Sequence, residues 1–379
     1  MQTALHTYDI HGIVGVVSAA KLPELETFRV PDLARDPEIR VRTGTLSPAA
    51  NGHGTPHGSR RIRYDEGFRR FGFGVELEKR DGGYDVLATA FLARSPHVLY
   101  TNIVEPLLRW TFVEKGFALV HGACLAFGED AYLVTARTDT GKTTTVLRVL
   151  DNQPGCSFIS DDLTLVSPEG RILTYPKPLT ISRHTLVAVN TPLLSGLERA
   201  ALLIQSRLHS KSGRRFGLFL TRTGLPMATT NAVVQFLVPP PKYPVQRLVP
   251  GVKLANEARL AGLIVIERGD DGEVRLSDQE ALDILMTNSE DSYGFPPYES
   301  IKDFLYGSER GDLRPLERAT VASAMIGKPA TLLRSSTRDW WQRVPALIGG
   351  TAAHSAATAV PSPAWIPAGS SGMASVGAD

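Results

Sequence analysis

Short apolar or alternating runs fill the first hundred residues: Ile10 to Val17, Ile39 to Val41, Arg61 to Tyr64, Phe71 to Leu77, Tyr84 to Ala90 and His97 to Tyr100. Runs of this length and period predict β-strands, so residues 1–101 are expected to form a β-rich N-terminal domain. Leu46 to Ser59, loaded with Gly, Pro, Asn and His, is expected to be an exposed loop. His53 and His57 lie four apart there, but Gly54 and Pro56 forbid the helix that would make them a ligand pair. The period changes at Asn102. From there to Glu114 the apolar residues Ile103, Leu107, Leu108, Trp110 and Phe112 share a face, and Gly116 follows as a stop, which predicts a helix.

Beyond it, Ala118 to Ala126 and Ala131 to Val134 read as two strands joined by the Gly128 to Asp130 turn, a β-hairpin rather than a helical crossover. Thr143 to Leu150 then places Val146, Leu147, Val149 and Leu150 at helical spacing. Gly155 to Ile159 is a strand ending in Ser160-Asp161-Asp162, and Leu163 to Val166 with Arg171 to Tyr175 predict a second hairpin across Pro168-Glu169-Gly170. Further on, a helix is expected over Leu197 to Leu208, a strand over Val233 to Val238 before Pro239-Pro240-Pro241, and a strand over Leu260 to Glu267. Asp278 to Leu285 reads as a helix with Ser277 as N-cap, and Leu316 to Met325 and Arg338 to Leu347 as short helices. The tail from Gly349 to Asp379, dominated by Ala, Ser, Gly, Pro and Thr, cannot bury enough apolar area to offset its ordering entropy and is expected to be disordered. The expected organisation is therefore a β-rich domain 1–101, a central α/β domain 102–310 with a mixed sheet, a helical segment 311–348 and the tail 349–379.

Composition narrows the function. At 379 residues, 42% hydrophobic and 21% charged, the chain is of ordinary globular make-up, and a net charge of +2 gives no global pull toward nucleic acid, so no nucleic-acid partner is expected. Cys124 and Cys156 stand in no metal-ligand spacing and are expected as small core residues. Met1 to Val17 has neither the basic start nor the apolar stretch of a signal peptide, and no run approaches a spanning helix. A cytoplasmic location is the expectation, with peripheral membrane contact left open.

The chemistry concentrates between Ala131 and Thr145. Ala136-Arg137-Thr138-Asp139-Thr140-Gly141-Lys142-Thr143-Thr144 lies between an apolar strand and a helix, the placement of a loop whose backbone N–H groups cradle a polyphosphate. Lys142 would neutralise the β and γ oxygens of ATP, the Thr143 hydroxyl would join the shell of a Mg²⁺, and the helix adds its positive end. Asp161 and Asp162 follow at a strand end, where neighbouring residues point opposite ways. That suits two jobs: one carboxylate, assigned as Asp162, holds the metal with Thr143 while its neighbour accepts a proton from an attacking hydroxyl. His121, on the strand that hairpins into the loop strand, is placed to contact the γ-phosphate or tune an aspartate.

His121-Gly122, the loop ending Gly141-Lys142-Thr143, and Ser160-Asp161-Asp162, in that order and spacing, resemble the HPr kinase/phosphorylase group. Thr140 to Thr144 with the Asp pair is also similar to phosphoenolpyruvate carboxykinases, which share that nucleotide-binding architecture. The resemblance covers roughly Asn102 to Leu285 and implies a mixed-sheet P-loop core of this type, ATP- and Mg²⁺-dependent phosphoryl transfer to a hydroxyl, and a homo-oligomer. It maps the assisting histidine and aspartate pair onto His121, Asp161 and Asp162. Ala136 and Asp139 depart from the usual glycines. Asp139 must take a left-handed backbone or turn its carboxylate away from the phosphates, and Arg137 is placed to offset its charge or to reach a phosphate.

On the acceptor side, Lys177 and Arg183 are candidate phosphate or substrate contacts in the connection after the second hairpin. Arg207, His209, Lys211, Arg214, Arg215 and Arg222 surround apolar Phe216 to Leu220, a cluster suited to an anionic partner such as a phosphorylated sugar, an acidic protein or a lipid headgroup. The resulting expectation is a phosphotransferase acting on a protein serine or a small or lipid-linked alcohol. The alternative, motivated by Ala136 and Asp139, is a non-catalytic nucleotide-binding regulator or scaffold. Carboxykinase chemistry would need a second metal site of Lys and His ligands, and no clear set stands out in the sequence.

Overall fold

A computed structural model describes residues 5–46, 60–66, 72–181, 185, 227–237, 242–293, 296–308 and 311–348. The N-terminal strands β1 (His6–Ile10), β2 (Val14–Ser18), β3 (Arg29–Val30), β4 (Ile39–Gly44), β5 (Arg61–Asp65), β6 (Gly74–Arg80) and β7 (Gly83–Thr89) form one sheet in the order β3-β1-β2-β4-β7-β6-β5. The run Ile10 to Val17 is not a single strand, because His11 and Gly12 turn back at φ 54° and 70° and lay β1 antiparallel on β2. His97 to Tyr100, expected as a strand, is helical: Pro96 opens a helical turn that passes through a π-helical turn at Tyr100–Val104 into α1 (Glu105–Glu114). The buried Leu99, Ile103 and Leu107 show why, since the helical apolar stripe runs back beyond Asn102.

The second sheet is mixed, and the strand-to-loop-to-helix unit lies in it. Its strands are β8 (Ala118–His121), β9 (Ala123–Phe127), β10 (Asp130–Thr135), β11 (Cys156–Ser160), β12 (Leu163–Val166), β13 (Arg171–Leu173), β16 (Lys253–Leu254), β17 (Glu257–Arg268), β18 (Gly272–Leu276) and β21 (Ala330–Ser335), the intervening β14 (Leu179–Thr180) with β15 (Lys242–Tyr243) and β19 (Gly307–Ser308) with β20 (Gly311–Asp312) being separate short pairs. Both expected hairpins form: β9 with β10 through the two-residue turn Gly128-Glu129, with Gly128 at φ 63°, and β12 with β13. β10 runs parallel to the long β17, which pairs on its other side with β13 at its start and β21 at its end.

Only Gly122 separates β8 from β9, and only Asp161-Asp162 separates β11 from β12. Both chains bend at the same level, so β9 pairs with β11 while β8 pairs with β12. The Gly122 N–H donates to the Asp162 carbonyl at 3.1 Å, and the Thr164 hydroxyl donates to the Gly122 carbonyl at 2.8 Å. The sheet curls back on itself there.

Helix α2 (Lys142–Asn152) covers one face, packing Val146, Leu147 and Leu150 with Tyr132, Val134, Ile264 and Leu333. Helices α4 (Asp278–Asp291) and α6 (Leu313–Met325) cover the other, with Leu285, Val321 and Met325 against Leu133, Leu263 and Val265. Ser277 and Glu280 close a capping box at the start of α4, as the N-cap expectation had it. The N-terminal sheet, α1 and α5 (Tyr298–Tyr306) share a third cluster with Leu119, Leu163 and Tyr175. Arg109 of α1 is buried and ties these layers together: it makes a two-pronged contact with Glu317 of α6, 2.7 and 2.9 Å, and reaches Glu290 of α4 at 3.0 Å.

Of the strand expected at Val233 to Val238, residues 233–237 instead end a helix, α3 (Met227–Leu237). Glu66 accepts the N–H groups of Ala228 and Thr229 at 2.6 and 3.2 Å, capping its first turn, while Ala228 and Ala232 bury one face, and these tertiary contacts override the β-propensity of Val233 and Val234. The C-terminal segment contributes strand β21 and a helix over residues 340–348. Residues 47–59 of the expected loop Leu46 to Ser59, the helix Leu197 to Leu208, the basic cluster around Arg214 and Arg215, Arg183, and the tail 349–379 lie outside the described residues. Among the described residues no helix is long and apolar enough to cross a membrane.

Candidate functional site

Strand β10 delivers the chain to a loop over Ala136–Gly141, and Lys142 starts α2. Ala136 is buried against the helix core, Arg137, Thr138 and Asp139 are exposed at the tip, and Thr140 and Lys142 are buried again. Asp139 takes the left-handed option, with φ 63° and an exposed side chain, which accommodates a non-glycine residue at that position. Gly141, at φ 135°, is required on two counts: its backbone is in the glycine region, and a Cβ there would come within 3.0 Å of the Trp340 ring. Its carbonyl accepts the Thr145 hydroxyl at 3.1 Å and the Thr145 N–H at 3.0 Å, which winds the first turn of α2.

The bends described above bring the predicted side chains into one cluster at the start of α2. Lys142 Nζ lies 3.1 Å from His121 Nε2 and 3.4 Å from Asp162 Oδ1. The Thr143 hydroxyl donates to Asp161 Oδ2 at 2.9 Å, and Asp162 Oδ2 accepts Lys177 Nζ at 3.2 Å. Thus His121, Lys142, Thr143, Asp161, Asp162 and Lys177, spread over 57 positions, converge. The geometry changes one pairing: the carboxylate beside Thr143 is Asp161, whereas Asp162 faces His121 and two lysines. Thr144 instead meets the Thr185 hydroxyl at 3.4 Å.

Electrostatics separates the two acids. Burial pushes the Asp161 carboxyl up to about 6, aided by neighbouring Asp162 and only partly opposed by Lys142 and Thr143. Its Oδ1 is buried with no hydrogen-bond partner. For Asp162 burial also favours the neutral acid, but Lys177, Lys142 and His121 outweigh it and hold the carboxyl well below the ordinary range. Its side chain keeps 46% of its surface, so solvent and an incoming group both reach it. His121 is lowered to about 3 by burial, then by Lys142 and Lys177, with Asp162 opposing. At neutral pH it is therefore an uncharged acceptor for the Lys142 ammonium, with the proton on Nδ1, 3.5 Å from Asp162. Three contacts fix it: its carbonyl accepts the Thr135 hydroxyl at 2.9 Å, that hydroxyl accepts from Asn288 at 3.2 Å, and its N–H donates to Ser289 at 3.0 Å.

Three contributors escaped sequence reasoning. Glu105, at the start of α1, accepts Lys177 Nζ at 2.5 Å, and it and Asp162 raise the Lys177 ammonium well above its ordinary range despite burial. Arg268 at the end of β17 holds carbonyls of the loop, and Trp340 packs under Gly141. The available signal for Arg268 was its place at the end of the strand parallel to β10. Among the described residues no group of three or more His, Cys, Asp and Glu side chains is arranged to hold a metal ion unaided. The donors that fit a Mg²⁺ shared with phosphate oxygens are the Thr143 hydroxyl and the orphaned Asp161 oxygen. No protein-family model matches the chain, and no curated protein matches it.

Proposed function

We propose that the chain is an ATP- and Mg²⁺-dependent phosphotransferase of the HPr-kinase-like kind, moving a phosphoryl group to a hydroxyl on a protein serine or on a small or lipid-linked molecule. The observation that carries it is the meeting of Lys142 and Thr143, at the head of a helix after a strand and loop, with two acids of opposite protonation preference. Phosphoryl transfer needs positioning and charge stabilisation more than covalent chemistry, and these groups supply both.

In this reading the Ala136–Thr144 segment cradles the polyphosphate and Lys142 bridges its β and γ oxygens. Thr143 and Asp161 would hold the Mg²⁺, which neutralises charge developing on the phosphates. Asp162, ionised and half exposed, accepts the hydrogen bond of the acceptor hydroxyl and takes its proton as the phosphoryl group is transferred, while Lys142 and Lys177 on either side keep it ionised and steady the transferring group. His121 stays neutral and aligns Lys142. The acceptor comes to the Asp162 and Lys177 side, and an anionic one suits the lysine.

Calorimetric titration with Mg·ATP, followed by transfer of label from γ-labelled ATP to cell-extract proteins and small-molecule fractions, tests the proposal. Binding with a labelled product supports it. Binding with no product in any fraction instead supports the regulatory or scaffold reading, and absence of binding removes both.

A pH dependence follows from Asp161. Its folded-state value lies above the ordinary carboxylate value, so ionising it works against the fold: that contribution to stability is complete below 3.8 and is lost as pH rises through about 6. Metal binding has the opposite sign, because only the carboxylate ligates. The Mg·ATP association constant is expected to rise about tenfold from pH 5 to 7 through this group, the change in ionised fraction for a pKa near 6. The nucleotide titrates too, so the measured quantity is the part of that rise that Asp161→Asn removes; an identical profile in the variant would exclude Asp161 as the ligand.

A further inference from the structure

The loop over residues 136–141 has glycine only at its last position, yet it holds a left-handed aspartate and Gly141 at φ 135° on either side of Thr140. Within the loop one hydrogen bond, from the Thr140 N–H to the Arg137 carbonyl at 3.2 Å, closes the turn, and the carbonyls of Asp139 and Thr140 face outward to groups from elsewhere in the chain. Two groups from elsewhere in the chain are in contact with it. Arg268, the last residue of β17, donates Nη2 to the Asp139 carbonyl and both Nε and Nη2 to the Thr140 carbonyl, at 3.3 and 3.2 Å. Trp340, buried, lies where a side chain on Gly141 would be and donates its indole N–H to the Glu267 carbonyl at 3.2 Å. The helix over residues 340–348 is itself fastened to α2, with Asp339 paired to Arg148 at 3.3 Å and the Arg148 guanidinium 5.5 Å above the Trp341 ring.

The peptide unit is planar and trans, so its carbonyl and N–H point in opposite directions. With the Thr140 carbonyl turned to Arg268, the Gly141 N–H must face away from it. Fixing the carbonyls therefore fixes the donors. We infer that Arg268, with Trp340 as the floor beneath Gly141, is a positioning residue for the Asp139–Gly141 turn, replacing by tertiary contacts the conformational freedom that glycine would otherwise provide. Because it concerns how the turn presents its amides to a polyphosphate, the inference rests on the nucleotide reading for its effect on binding, though not for its effect on the loop itself.

Arg268 is exposed, so its replacement is tolerable to the fold. In the nucleotide-free protein, Arg268→Gln is expected to speed hydrogen exchange of the Thr140 amide, which donates to the Arg137 carbonyl, by about tenfold, the order set by losing charge-assisted hydrogen bonds to two carbonyls of the turn. In Mg·ATP titrations the same variant is expected to bind about tenfold more weakly. Asp139→Gly removes the left-handed penalty but also a carboxylate near the phosphates, so the informative quantity is the coupling in a double-variant cycle: Asp139→Gly should improve binding at least about threefold more in the Arg268→Gln background than in wild type. Arg268→Lys keeps the charge but not the fork and should behave like Gln. Unchanged exchange in Arg268→Gln overturns the inference, as do additive effects in the cycle or full binding by Arg268→Lys, which would make Arg268 a direct charge partner of the ligand. If wild type fails to bind Mg·ATP the nucleotide reading falls by that result, and the exchange measurement still decides whether Arg268 holds the turn.

Discussion

Lys142→Met is expected to weaken Mg·ATP binding by at least about a hundredfold and to bring phosphoryl transfer to background. The stem of Lys142 is buried and methionine keeps that volume, so the change isolates the ammonium. In the free protein that ammonium is shared by neutral His121 at 3.1 Å and Asp162 at 3.4 Å, an arrangement that holds Nζ at the head of α2. A contact from a charged donor to a phosphate oxygen is worth about 1.5–3 kcal/mol, and Lys142 would make two, one to each of two phosphates. Their loss corresponds to roughly two to four powers of ten in affinity. Lys142→Arg is the companion: it restores the charge, but its planar fork does not fit between an imidazole and a carboxylate spaced for one nitrogen, so binding should stay impaired. Calorimetry on both variants, with melting curves to confirm folding, is the measurement. Binding by Lys142→Met within about threefold of wild type would show that the nucleotide does not sit on this loop.

The parts of the fold readable in the sequence were those written in local signals. The Gly128-Glu129 turn, the apolar face of α2, the Ser277 and Glu280 cap and the long apolar core of β17 each depend on residues within one or two turns of each other. What escaped was decided at a distance. Val233 and Val234 read as strand because their propensity is for strand, and it is Glu66, more than 160 residues away in the chain, that caps the helix they join. Pro96 and the π-helical turn at Tyr100–Val104 carry the helical face of α1 back into a segment whose four residues alone look like a strand.

The site divides in the same way. Lys142, Thr143, Asp161, Asp162 and His121 could be singled out because the strand-loop-helix signature and the acid pair at a strand end are sequence features, and strand pairing brings them together without long loops. Their division of labour could not be. Neighbouring acids on one strand end point apart, but which meets Thr143 depends on the bend the chain makes at Asp161-Asp162 opposite Gly122, and that bend exists only once β8, β9, β11 and β12 are paired. Likewise, nothing near Lys177 announces Glu105, and nothing near Asp139 announces Arg268.

That division of labour makes the second prediction sharp. Asp162→Asn is expected to lower kcat by about 10³-fold, within the range of a lost general base, while Mg·ATP binding changes by less than about threefold. Asparagine keeps the shape but only one acceptor oxygen, which can face Lys142 in place of Oδ1 while Lys177 keeps Glu105 as its partner, and it cannot take a proton. The depressed Asp162 pKa has the sign of a stabilising carboxylate: the contribution is present above the ordinary carboxylate value and lost as pH falls below it, so a lower melting temperature near neutral pH is expected as well. Asp161→Asn should show the complementary pattern, weaker Mg²⁺ dependence and nucleotide affinity, because it alters the oxygen beside Thr143. The acid limb of the kcat profile adds a separate check. In wild type a base held this low stays ionised through pH 5, so any fall in kcat between pH 7 and 5 must come from Asp161 or the nucleotide and should persist in Asp162→Asn at its reduced level. Transfer by Asp162→Asn within about tenfold of wild type would sink the assignment of the base, and a collapse of nucleotide binding in that variant would move Asp162 from proton transfer to ligand seating.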